Sequence, residues 1–306
     1  MKFSVLIPAY KRQYLQECID SVLSQTFQDF EIVIVDDCSP EDIKSVVYLF
    51  NDSRISFYRN EANCGAVDVV DNWNKCLEYA AGDYVICMGD DDKLLPNCLE
   101  EYAHLIAKYP GLGVYHGWTE TIDEHSSFKD ITAPRIEYES VYSLIWNRWN
   151  GRTQQFIGDF VFDRKKLIDK GGFYKLPLAW ASDDISAVMM AEEKGIANTS
   201  SVVFQYRVSP STISSNGRYT TKVDAIMEEK KWFQAFLNKE VSNEIDKKYK
   251  TAIKNCLENH FNKKIVIYIT RDIKEKKIRF FYWLRHCKEY NLGYSYILYS
   301  LIMSYK

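Results

Sequence analysis

Short runs of β-branched and aliphatic residues, each followed by a stretch of helical spacing, recur through the first 120 residues, and no other feature narrows the fold as far. Residues 4–8 (SVLIP) form the first apolar run. Residues 14–25 then place Leu15, Cys18, Ile19, Val22 and Leu23 at helical spacing. A second run at 31–35 ends in Asp36 and Asp37, and Ser39-Pro40 reads as a helix start. A third run lies at 55–58, a helical stretch at 66–81 is stopped by Gly82, and a fourth run at 84–88 precedes another helix after Pro96. This alternation predicts βαβ units and an α/β fold, with a mostly parallel, Rossmann-like sheet covered by helices on both faces. Such sheets bind ligands at the carboxyl ends of their strands.

Beyond residue 115 the periodicity weakens and aromatics accumulate. Trp118, Trp146, Trp149 and Trp180 are each expected in the core when taken singly, although together they could form a stacking platform for a ligand. Asp183-Asp184 opens a helix carrying Ile185, Val188, Met189 and Ala191, and residues 202–206 return as a strand. From Thr221 onward the chain reads as helical and lysine-rich, a C-terminal helical appendage. The net charge of -3 conceals a split: residues 1–221 hold 21 basic and 32 acidic side chains, and residues 222–306 hold 18 and 10. A basic end points to a polyanionic partner.

Composition removes several classes. A hydrophobic fraction of 46% with 26% charged residues excludes disorder and a disulfide scaffold. The most apolar stretches, 265–269 and 294–303, fall well short of the ~20 residues that cross a bilayer. No signal-peptide pattern opens the chain, so the cytoplasm is the expected compartment. The eight cysteines include no C-x-x-C pair and are expected to be reduced and mostly buried. The five histidines lack the spacing of a zinc site.

Asp90-Asp91-Asp92, directly after a strand, is the sharpest chemical signal. Three adjacent carboxylates repel one another unless a cation intervenes, and a hard ion such as Mg²⁺ or Mn²⁺ takes such oxygens together with phosphate and water. The competing reading is a solvated acidic turn that caps the next helix. Asp37 reads as a turn residue or as an acceptor for a nucleobase or ribose, and Asp183-Asp184 as an N-terminal acid pair or as a functional one.

Taken in order, residues 4–12 (SVLIPAYKR), 21–27 (SVLSQTF), 30–39 (FEIVIVDDCS), Asn63-Cys64-Gly65, 81–85 (AGDYV), Gly89 to Asp92 with Pro96, and 181–184 (ASDD) resemble inverting family-2 glycosyltransferases of the bacterial surface-polysaccharide type. The resemblance spans roughly residues 3–210 and implies the GT-A fold. It departs at Val70-Asp71-Asn72, where many members have Ala-Arg-Asn, and at the acid pair, Asp-Asp rather than Glu-Asp.

The resemblance further implies a catalytic domain over residues 1–220, with a nucleotide-binding half at 1–115 and an acceptor-binding half at 116–220, followed by a basic helical region at 221–306. Pro8, Ala9 and Tyr10 would line the nucleotide pocket, with Tyr10 stacked on the base. Asp37 would hold the base or ribose, and Asn63 would join the donor site. Asp91 would be the main metal ligand, with Asp92 beside it and Asp90 at the sugar or ribose. The metal would be Mn²⁺ or Mg²⁺. Asp184, or failing it Asp183, would take the proton from the acceptor hydroxyl as it attacks the anomeric carbon. The expected activity is thus hexosyl or N-acetylhexosaminyl transfer from a nucleotide sugar, a UDP-sugar by family habit, to a glycan or lipid-linked acceptor. A sugar nucleotidyltransferase or a dehydrogenase would need a glycine-rich phosphate loop after the first strand, and no glycine precedes Gly65. A non-catalytic sugar- or membrane-binding protein on the same fold remains the rival of another class. Residues 247–288, with 13 basic against three acidic side chains and interleaved aromatics, are expected to meet an anionic membrane surface, with the enzyme peripheral at the inner face of the plasma membrane; the competing reading is a helical appendage that packs on the catalytic domain or makes a dimer, its lysines solvated. No nucleic-acid motif accompanies that charge.

Overall fold

The computed structural model describes residues 1–208 and 218–306. Residues 209–217, which belong to the expected acceptor-binding half, lie outside the described residues. The described chain divides into two compact units, one of residues 1–175 and 182–208 and one of 176–181 and 218–306.

The first unit runs β1 (Phe3–Ala9), α1 (Leu15–Leu23), β2 (Phe30–Asp36), α2 (Ile43–Val47), β3 (Ile55–Arg59), α3 (Val69–Tyr79), β4 (Tyr84–Cys87), β5 (Lys93–Leu94) and α4 (Cys98–Lys108). It continues with β6 (Val114–Ile122), β7 (Phe128–Ile131), β8 (Tyr138–Glu139), α5 (Val141–Trp149), β9 (Phe160–Asp163), α6 (Arg164–Asp169), α7 (Ser182–Ala191) and β10 (Ile196–Arg207). The main path of the sheet is β3-β2-β1-β4-β9-β6-β10-β5. Its first four strands are parallel, as the alternation of strand and helix requires. Phe3, Val5, Leu6 and Ile7 of β1 are all inaccessible to solvent, because helices cover both faces, and this is why the strand reads as an unbroken apolar run. On α1, Leu15, Cys18, Ile19 and Val22 form the buried stripe, each side chain contributing about 1.5–3 kcal/mol of burial for the larger ones.

Past β4 the sheet becomes mixed. β9 runs antiparallel to both β4 and β6, β10 is parallel to β6, and β5 is antiparallel to β10. The strand expected at 202–206 is the end of a longer one, Ile196–Arg207, whose register shifts between Asn198 and Phe204. β6 was not visible as a strand because buried His116, Gly117 and Thr119 interrupt its apolar pattern. Trp118, Trp146 and Trp149 are only half-buried, so none of these three is a fully enclosed core residue.

The second unit contains α8 (Tyr219–Phe236), α9 (Glu244–Glu275), α10 (Arg279–His286) and α11 (Tyr294–Met303). Asn243 caps α9 by accepting from the N–H groups of Ile245 and Asp246. Ile253, Leu257, Phe261, Ile265, Ile269 and Ile273 form the buried stripe of that 32-residue helix. Among the described residues no helix is long and apolar enough to cross a membrane. All eight cysteines are free thiols and five are buried.

Candidate active site

Because β1, β2 and β4 are parallel neighbours, their carboxyl ends meet at one sheet edge, with Ala9 level with Asp36 and Leu6 level with Cys87. The segments leaving those ends are stitched together by hydrogen bonds. Asp37 N–H donates to the Ala9 carbonyl at 2.9 Å and Met88 N–H to the Leu6 carbonyl at 3.0 Å. Asp90 Oδ2 then accepts from both Tyr10 N–H and Lys11 N–H, each at 2.7 Å. Pro8, Ala9, Tyr10, Asp37 and Asp90 to Asp92 are therefore gathered at one place, as expected from the strand order. Tyr10 is 43% exposed, and its carbonyl accepts from Ser39 Oγ.

The two acids after β2 differ in surroundings. Asp36 is fully buried, ion-paired with Arg59, and accepts from Ser39 N–H at 2.8 Å. Asp37 Oδ1 accepts from Asn60 Nδ2 and from Cys64 N–H, both at 2.9 Å. Asn60 donates in turn to Asn72 Oδ1, and Asn72 donates to the Val35 carbonyl. Asp37 is thus held rigidly, with the 60–65 loop folded onto it and Asn63 exposed on that loop.

After β4 the three carboxylates separate by environment. Burial, then the neighbouring Asp91 charge, pushes the Asp90 carboxyl up to about 6 against the two backbone donors. Asp92 is buried, and its Oδ1 accepts from Arg207 N–H at 2.9 Å. Burial and the Asp91 charge raise it far above the usual carboxylate range. Burial raises the Asp91 carboxyl, while the Lys11 charge, a hydrogen bond from its own N–H and the Arg207 charge oppose that. A Cβ at Gly89 would stand 2.9 Å from Asp91 Oδ1 and 3.0 Å from Asp92 Oδ2, so a larger residue there would push these carboxylates aside.

Arg207, at the end of β10, braces this turn and had no sequence signal beyond being a cation at the end of an apolar run. It is fully buried. Its Nε donates to the Asp91 carbonyl at 2.7 Å, Nη1 to the Asp123 carbonyl and Ser126 Oγ, and Nη2 to Glu17, above the Tyr14 ring at 4.1 Å. Only a planar five-donor group satisfies that set. Arg207→Lys is expected to lower the unfolding temperature and weaken nucleotide binding together, since the lost bonds leave buried acceptors unpaired at about 1–3 kcal/mol each. Thermal denaturation with and without nucleotide checks this; unchanged values in both would contradict it.

Asp183 and Asp184 stand on the first turn of α7, where the helix dipole favours acids. Asp184 is buried, and its Oδ1 accepts from Arg148 Nε at 2.9 Å and Gln155 Nε2 at 2.5 Å. Asp184 N–H donates to Asp183 Oδ1 at 2.8 Å. Burial and then the Asp184 charge push the Asp183 carboxyl up to about 7, against the pull of Arg148. Arg148 and Gln155 come from α5 and the loop after it, a placement that sequence spacing did not reveal. Immediately before α7, Leu178, Ala179 and Ala181 have φ of 61°, 51° and 63°, a conformation costing non-glycine residues about 1–3 kcal/mol each and typical of functional segments.

Among the described residues no three His, Cys, Asp or Glu side chains form a metal cage. A hard divalent ion does not need one, because it takes one or two carboxylates and completes its shell with substrate phosphates and water. The Asp91 carboxylate, between Asp90 tied to the segment after β1 and Asp92 tied to β10, is a donor group of that kind.

Residues 4–172 match the model of Glycosyl transferase family 2. A related chain, the UDP-Glc:alpha-D-GlcNAc-diphosphoundecaprenol beta-1,3-glucosyltransferase WfgD of Escherichia coli, is 28% identical over 220 residues, covering 70% of this chain and 79% of the relative. The GalNAc(5)-diNAcBac-PP-undecaprenol beta-1,3-glucosyltransferase of Campylobacter jejuni is 37% identical over 195 residues, 56% of this chain and 62% of the relative. An uncharacterized glycosyltransferase of Rickettsia typhi is 27% identical over 176 residues, and the match spans about half the relative's length, 53%. Among solved structures, Staphylococcus aureus TarS 1-349 in complex with UDP-GlcNAc superposes with a TM-score of 0.65 at 17% identity, covering 95% of this chain and 89% of that one. This likeness establishes the GT-A fold.

Proposed function

Because the chain belongs to glycosyl transferase family 2 and is a glycosyltransferase, we propose that it moves a hexose from a UDP-sugar to a hydroxyl of a lipid-linked glycan, with inversion, in bacterial surface-polysaccharide synthesis. The observation that carries this reading is the Asp90–Asp92 triplet at the edge where Tyr10 and Asp37 also stand, Asp90 being tied to the segment after β1 and Asp92 to β10 with Asp91 between them. The relatives named as beta-1,3-glucosyltransferases acting on undecaprenol-linked substrates support the acceptor class, and the name of one of them begins with the donor UDP-Glc.

In this reading the exposed Tyr10 ring stacks on the uracil, and Asp37, fixed by Asn60 and Cys64, accepts from the base or ribose. Pro8 and Ala9 form the wall beneath, and Asn63 closes the loop side. Asp90 locks the β1 and β4 ends together through Tyr10 and Lys11. Asp91 is the residue that would hold Mn²⁺ or Mg²⁺, with Asp92 beside it braced by Arg207; the ion, when bound, would neutralise charge on the diphosphate. Lys11 supplies positive charge at the same edge, in place of the arginine missing at Asp71. Asp184, steadied by Arg148 and Gln155, takes the acceptor proton, and Asp183 sets the charge of the pair. One displacement at the anomeric carbon inverts it, and no covalent enzyme intermediate is needed.

The acid pair gives this reading a pH signature. Asp183, whose carboxyl is pushed up to about 7, adjoins the base, so kcat is expected to fall as the pair takes up a proton below that pH. Stability moves the other way. Folded Asp183 still holds a proton that the unfolded carboxyl has already lost, so between about pH 4 and 7 stability rises as pH falls. Steady-state rates and unfolding temperatures across pH 5–9 check both trends, the range being chosen to bracket the titration near about 7. A flat kcat profile would remove the acid pair from the mechanism. The donor itself is tested by UDP release from a panel of nucleotide sugars with Mn²⁺ present, beginning with UDP-glucose.

A basic C-terminal region that meets an anionic membrane surface through residues 247–288 belongs to the same reading, since a lipid-linked acceptor resides there.

A further inference from the structure

In the second unit, α11 has inverted polarity. No charged residue occurs between Tyr294 and Met303. The side of the helix that is buried presents Ile297, Ser300 and, just beyond the helix, Ser304, whereas Tyr294, Leu298, Tyr299, Ile302 and Tyr305 are exposed by 54, 50, 52, 63 and 72%. Positions 294, 298, 302 and 305 follow each other at spacings of four and three, so they form one outward stripe. The inward serines are satisfied locally, Ser300 Oγ donating to the Tyr296 carbonyl at 2.9 Å and Ser304 Oγ to the Leu301 carbonyl at 2.7 Å. A helix that turns serine inward and leucine, isoleucine and tyrosine outward needs a different medium on its outer side.

The charge beside the stripe identifies that medium. Lys277 Nζ donates to the Ser304 carbonyl and Oγ at 2.8 and 2.9 Å and lies 3.8 Å from the Tyr305 ring centre, which fastens the 276–278 segment to the end of α11. Exposed Lys274 and Lys276 precede Lys277 in the chain, with Glu275 between them, and Ile278 after it is 75% exposed. Elsewhere in 247–288 some of the basic side chains are engaged internally: Lys247 with Glu244, Lys264 with Glu229 and Arg279 with Asp272. We propose that the outward stripe of α11, together with the cationic segment fastened to its end, docks the enzyme on an anionic lipid bilayer. Aliphatic side chains enter the acyl boundary, tyrosines sit at headgroup level, and lysines meet lipid phosphates. Ten residues give about 15 Å of helix, which lies in the interface and cannot span it. A second copy is the weaker occupant, because it would set two regions of net +8 against each other. The biological reason for docking rests on the lipid-linked acceptor proposed above; the geometry does not.

Co-sedimentation of the full chain with vesicles tests the surface. Phosphatidylglycerol-containing vesicles are expected to retain the protein, pure phosphatidylcholine vesicles to leave it in solution, and salt to release it. Leu298→Ser with Ile302→Ser, and separately Lys274→Ala with Lys276→Ala, should each weaken binding by about tenfold or more, a lysine near such a surface being worth about fivefold. Both pairs are exposed, so the unfolding temperature and UDP release in solution should stay at wild-type values. Vesicle binding that depends on Leu298 and Ile302 sustains the surface even if no nucleotide sugar is turned over, an outcome that would overturn the transferase reading alone. Wild-type vesicle binding by the Leu298→Ser/Ile302→Ser protein overturns it, as does a wild-type dimer that these changes dissociate without any vesicle binding.

Discussion

Asp91→Asn is expected to lower kcat by roughly a thousandfold, the several kcal/mol that charge neutralisation on a leaving diphosphate contributes. Asp91 stands between Asp90, which is tied to the segment after β1, and Asp92, which is tied to β10, and the Lys11 charge faces it. An amide is a poorer ligand for a hard cation, so affinity for UDP should lose its dependence on Mn²⁺ in the variant. The fold should not suffer. The Asp91 charge helps to raise both Asp90 and Asp92, and its removal relieves that repulsion, so the unfolding temperature should stay level or rise. Near-wild-type turnover by Asp91→Asn, or by wild-type protein in excess EDTA, would remove the metal from the mechanism.

Asp184→Asn is expected to depress kcat by roughly 10²–10⁴ while donor binding stays near wild type, the range typical of a lost general base. Arg148 and Gln155 both address Asp184 Oδ1 and fix its orientation, which is the property a base needs toward an incoming hydroxyl. Asp183→Asn is the control. It removes the carboxyl pushed up to about 7, so its main effect should fall on the pH profile and on stability, with a higher unfolding temperature at pH 8 than wild type. Should Asp183→Asn abolish turnover and Asp184→Asn spare it, the two residues exchange roles.

The first strands of the fold were legible because they are covered on both faces and so appear as unbroken apolar runs, 4–8, 31–35 and 84–88 among them. Once those strands are parallel, their trailing acids must share an edge, which brought Asp37 and Asp90 to Asp92 together before any coordinates. The remainder was hidden for physical reasons. β6 carries buried polar groups, His116 and Thr119, that look unlike a strand interior until Asp159, 40 or more residues away, is seen beside them. Arg207, Arg148 and Gln155 reach their acids across 115, 36 and 29 residues, and no local pattern encodes such a meeting. The outward apolar stripe of α11 was likewise invisible, since periodicity reveals a stripe but not which way it faces.

The most direct test of the transferase reading is product analysis. Wild-type protein, Mn²⁺, UDP-glucose and an N-acetylhexosamine linked through diphosphate to a short prenyl chain are incubated together, and the product is examined by mass spectrometry and NMR. The expected result is one added hexose for each UDP released, in β linkage from the α-linked donor, with no product from Asp91→Asn. An α-linked product would contradict inversion. Absence of transfer and of UDP release from every nucleotide sugar in the panel, with no stabilisation by UDP, would contradict the proposed donor site itself.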